Sequence, residues 1–116
     1  MNTNEITIFR TLSEIWYNNH SVGVSYSYQR DLFFKINHLN RFIGDLPITQ
    51  IKPYHIDDII ISLAKRNPNT NKPTARKSLQ EIAHRANRIF EFAIDNDLII
   101  KNPAKNAGKS VRRIVK

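Results

Sequence analysis

Ile43-Gly44-Asp45-Leu46-Pro47 closes one helical pattern, and Ile51-Lys52-Pro53 opens the next. The reading of this stretch decides the fold. Upstream of Gly44, the residues Tyr28, Leu32, Ile36, Leu39 and Ile43 recur at steps of three and four, which lines up one buried face of an α-helix. That period predicts a helix capped by Ser25 or Ser27 and running to about Ile43. Gly44 then stands where a left-handed residue commonly ends a helix. Downstream, Pro53 suits a first helical turn, where its missing N–H is not needed. Ile56, Ile59, Ile60 and Leu63 give this next helix its core stripe. Asp57 and Asp58 near its start, and Lys65-Arg66 near its end, complement the helix dipole.

Outward from this centre, Thr11-Leu12-Ser13-Glu14 fits a capping box and predicts a first helix from Thr11, with Leu12, Ile15 and Trp16 on its apolar stripe. Residues 5–10 either extend that helix or run irregularly. Asn67 to Pro73 is polar and turn-rich, and reads as a loop. Thr74 is expected to cap the longest helix, which runs to about Asp95. Leu79, Ile82, Ala83, Ala86, Phe90 and Ala93 form its apolar face, and Lys77, Gln80, His84 and Arg88 the opposite one. On the second helix, Arg30, Asn37, His38 and Arg41 fall mostly away from the apolar face, and Phe33 and Phe34 are expected to fill a second core layer. The tail from Asn102 to Lys116 is polar and basic and reads as a linker.

Four helical patterns and only three glycines predict an all-α fold. At 116 residues, one domain with a small core is expected, and 41% hydrophobic residues suffice for it. There is no cysteine, which excludes disulfides and thiolate metal sites. No apolar run approaches the roughly 20 residues of a membrane span, and the N-terminus has no signal-peptide pattern. A soluble, cytoplasmic protein is expected. Eighteen Lys and Arg against ten acids give a net charge of +8, which points to a polyanionic partner such as DNA, RNA or a membrane surface.

The order and spacing of these pieces resemble the N-terminal core-binding domain of phage-integrase-type tyrosine recombinases. The likeness covers roughly residues 11–104. It rests on Leu12 and Trp16 in the first helix, the closure at Gly44-Asp45, the Ile51-Lys52-Pro53 entry, the Thr74-capped helix, and the closing Asp97-Leu98-Ile99 to Asn102-Pro103-Ala104. The family usually has Thr or Ser where this chain has Lys52, which weakens that cap.

The resemblance implies a four-helix, SAM-like bundle with a basic C-terminal linker. In that division residues 1–10 are a lead-in, 11–104 the core-binding domain, and 105–116 a linker towards a catalytic domain outside this chain. Such a domain clamps one side of double-stranded DNA with its second and fourth helices. The mapping nominates Arg30, Lys35, His38 and Arg41, then Lys72, Thr74, Arg76, Lys77, Gln80, His84 and Arg88. The implied partners are double-stranded DNA in a bacterial nucleoid, the recombinase's own catalytic domain and other recombinase protomers, with no membrane and no cofactor.

Elementary electrostatics points the same way. The start of the fourth helix offers free amides and a positive dipole end, and Lys72, Arg76 and Lys77 crowd it. Such contacts set affinity and register but read little sequence. Gln80, His84 and Arg88 could reach base edges if this helix enters a major groove.

Recombination chemistry uses a nucleophilic Tyr with an Arg-Lys-His-Arg type set. No tyrosine follows Tyr54, and Tyr17, Tyr26, Tyr28 and Tyr54 are expected to be packing or surface residues. His38-Leu39-Asn40-Arg41 has the family's His-x-x-Arg spacing but lacks the surrounding catalytic residues. The four histidines match no metal spacing. This stretch is therefore expected to bind and not to catalyse. Two other readings compete. One is a free-standing helical DNA-binding regulator, although the long Asn67–Pro73 loop argues against a helix-turn-helix. The other is a helical protein-interaction domain using Phe33, Phe34 or Tyr54.

Overall fold

The computed structural model describes residues 7–115. Its helices are α1 (Phe9–His20), α2 (Tyr26–Ile43), α3 (Pro53–Lys65), α4 (Arg76–Asp95) and α5 (Ala107–Ile114), with a 3-10 turn at Ile48–Gln50. Among the described residues there is no strand, only the isolated bridges Ile8–Pro47 and Asn67–Lys72.

Helix α4 is the central element. Leu79, Ile82, Ala83, Ala86, Ile89, Phe90 and Ala93 are all buried along it, and it contacts the other four helices. Its alanines let neighbours approach closely, while Phe90 reaches the Phe9 ring of α1 at 5.3 Å. Leu32, Ile36, Leu39 and Ile43 of α2 and Ile56, Ile59, Ile60 and Leu63 of α3 complete one core. Each such side chain contributes about 1.5–3 kcal/mol by leaving water.

Helix α1 starts at Phe9, two residues before the expected Thr11, and the capping box does not form: Ile8 precedes the helix without a side-chain cap. A backbone clasp fixes the start instead. Phe9 N–H donates to the Leu46 carbonyl, Arg10 N–H to that of Gly44, and Ile48 N–H to that of Thr7. Gly44 is needed for a reason other than the expected one. Its φ is −55°, not left-handed. A Cβ there would meet the Asn40 carbonyl at 2.5 Å and the Arg10 guanidinium at 2.6 Å. Arg10 also pairs with Asp45 at 3.3 Å.

Ser25 caps α2 by accepting from the Tyr28 N–H at 3.2 Å. Before α3, the missing Thr or Ser at Lys52 is compensated: His55 Nδ1 accepts the Lys52 N–H at 2.8 Å. The tail is corrected most. Residues 107–114 form α5, which packs on α3 and α4 with Ala107 and Val111 buried. Ala107, Val111, Ile114 and Val115 are helically spaced. A helix this short is marginal alone, so docking is what makes it form. Arg113 ties it to Asp57 of α3 at 3.1 Å. No helix among the described residues is long and apolar enough to cross a membrane.

Candidate nucleic-acid interface

Three contacts define a seam between α2 and α4. The Arg85 guanidinium lies over the Tyr28 ring at 5.5 Å. Lys35 pairs with both Asp31 and Glu81. Arg41 donates to Asn69 Oδ1, in the loop before α4, at 3.0 Å. Position numbers rise along α2 as they fall towards the start of α4, so the two helices run antiparallel. By helical spacing, residues 30, 34, 37 and 41 of α2 and 77, 84 and 88 of α4 lie one step outward from this seam. They border the same face.

Of the nominated residues, Arg30, Arg41, Lys72, Arg76, Lys77, His84 and Arg88 are exposed, and Gln80 is half-buried. Among the described residues, none of the six Lys and Arg in this group makes an ion pair. Helix α4 starts after Ala75 with no side-chain cap. Its first amides therefore have no side-chain acceptor, and the exposed Lys72, Arg76 and Lys77 lie close in sequence to them, which suits an anion.

Three nominated residues are not on the surface. Lys35 is 8% exposed, because its ammonium is drawn into the seam by two carboxylates. Thr74 is 8% exposed and does not cap α4; its N–H donates to the Leu63 carbonyl, turning it inward. His38 is 7% exposed, against the expected polar flank, because it sits on the side of α2 nearer the seam. Burial, and secondarily the Arg41 charge, lower its pKa from 6.5, so it is held neutral. The His-x-x-Arg pair is thus split, with His38 inside and Arg41 outside.

The aromatic residues also differ from expectation. Phe33 is 50% and Phe34 44% exposed, so neither fills a second core layer. Tyr28, expected on the buried stripe, stands out of it under Arg85. Arg85 itself was not nominated. It occupies the flank of α4 towards α2, and only the placement of the partner helix distinguishes it from Arg88. Among the described residues, no group of three His, Cys, Asp or Glu could hold a metal.

A family model described as the phage integrase central domain matches residues 9–110. The chain belongs to this family of phage-integrase-type tyrosine recombinase domains. Membership points to a role in recombination and to DNA as a partner. Neither the curated proteins nor the solved structures gave a match.

Proposed function

We propose that this domain is the core-binding module of a site-specific recombinase, gripping duplex DNA with the α2–α4 face. In this reading α1 to α4 are the SAM-like bundle and α5 is an added brace. The domain sets register on the core site, and the bond-breaking groups belong to another part of the recombinase. The observation that carries the proposal is a set of six exposed cations without carboxylate partners among the described residues: Arg30, Arg41, Lys77 and Arg88 bordering the seam, and Lys72 and Arg76 at the start of α4.

Contacts of this kind are made mainly with phosphates, so they hold the duplex in place more than they read it. The exposed His84 and the half-buried Gln80 remain the candidates for base edges on α4. The test is a titration of the chain with duplex DNA at several salt concentrations. Binding at low salt that weakens steeply as salt rises supports the proposal; no affinity at low salt, or a flat salt response, overturns it.

A further inference from the structure

Beside the seam, a cavity of about 390 Å³ opens between α2 and the loop before α4, lined by Phe34, Asn37, His38, Arg41 and Asn69. Its volume falls in the range of small-ligand sites, roughly 300–1,000 Å³. One wall is an exposed phenyl ring whose other neighbours are aromatic or cationic. The Phe33 ring meets Phe34 edge-on at 6.1 Å, and the Arg30 guanidinium lies 5.5 Å from the Phe34 centroid. The remaining lining is two carboxamides, a guanidinium and a histidine, with no carboxylate. The imidazole Nδ1 of His38 is buried and has no hydrogen-bond partner. Such an unpaired buried polar atom needs an explanation.

We propose that this cavity receives one unpaired base of a DNA strand, stacked on Phe34 and held at its edge by Asn37, Asn69 and Arg41. The proposal rests on the reading that the α2–α4 face meets DNA. Four features fit that occupant and no acidic one. A flat aromatic wall offers a stacking surface that any base can use. Carboxamides present a donor and an acceptor together, as a base edge requires. Arg41 at the rim lies where the adjoining phosphates would pass, and Arg30 lies about three helical turns further along the same outward row. The neutral state of His38 keeps a second positive charge out of the pocket, leaving its ring as an apolar and hydrogen-bonding floor.

A base buried in duplex must leave its stack before entering such a pocket, whereas a bulged base is already free. The cavity therefore predicts a preference for DNA carrying an extrahelical base over the same DNA without one. The experiment measures dissociation constants of the chain, by fluorescence polarisation, for a mixed-sequence duplex and for that duplex with one added unpaired adenine. The unsubstituted chain is expected to bind the bulged duplex about tenfold more tightly, the scale of one base–aromatic stack. Phe34→Ala is expected to abolish that ratio, and Phe34→Tyr, which keeps the ring, to preserve it. Phe34 is exposed enough that neither change should unfold the domain, and circular dichroism verifies this. Equal affinity for both duplexes overturns the pocket but leaves the DNA face standing. A preference that survives in Phe34→Ala also overturns it. No affinity for either duplex overturns both readings.

Discussion

Removing two exposed cations should change how salt weakens DNA binding by a calculable amount. For duplex DNA, log K falls against log salt with a slope of about −0.9 for each phosphate neutralised. Six unpaired Lys and Arg side chains lie along the seam or at the start of α4: Arg30, Arg41, Lys77 and Arg88, then Lys72 and Arg76. If all six meet phosphates, the slope is about −5. The double substitution Arg41→Gln with Lys77→Gln should make it shallower by about 1.8. Lys35→Met is the control. Its buried ammonium is already engaged by Asp31 and Glu81 and meets no phosphate, so the slope should stay within the error of the parent. Polarisation titrations of a labelled duplex over a series of salt concentrations give all three slopes, and thermal melts show that each variant is folded. An unchanged slope in the double variant would refute the assignment of these side chains to phosphates. So would a fall for Lys35→Met as large as for the double variant.

Three further outcomes follow from the packing. Gly44→Ala should destabilise the domain by about 1–3 kcal/mol, because the new methyl group meets the Asn40 carbonyl and the Arg10 guanidinium; a chemical denaturation midpoint equal to the parent's would contradict this. Val111→Ala should cost about 2 kcal/mol from two buried carbons and the small void they leave, and should speed amide exchange across α5. An α5 that exchanges like an unstructured tail in the parent would sink the assignment. His38 has a folded pKa below its unfolded value of 6.5, so its neutral form contributes stability that is complete above 6.5 and is lost as pH falls through the lowered value. Melting temperature should therefore drop on acidification in that window, and His38→Gln should flatten that part of the profile.

The boundaries of α2 and α3 are legible in the sequence because their apolar steps are regular and their ends carry strong local signals. Ser25 caps where a cap is expected, and Pro53 opens α3. Long stretches such as Leu79 to Ala93 reveal a buried face for the same reason. Period alone does not say which flank of a helix a neighbour will cover. Lys35 and His38 lie on the seam side of α2, and their burial follows from α4's position, which no local pattern encodes. Thr74 is a fair cap by type, but its backbone bond to Leu63 turns it inward. Phe33 and Phe34 look like core by chemistry and are surface by position. Helix α5 escapes notice because its three apolar residues sit among cations and its stability comes from α3 and α4.

The opposed directions of α2 and α4 give this domain a heading. The start of α4 and the loop before it carry Lys72, Arg76 and Lys77, with Arg41 bonded to Asn69 there, whereas the far end of α4 carries Glu91 and Asp95, with Asp97 just beyond. A polyanion of even charge is therefore held more strongly at one extremity than at the other. Two copies seated on inverted halves of a site would have to point in opposite directions, so the spacing between those halves would decide whether their acidic extremities meet or stay apart.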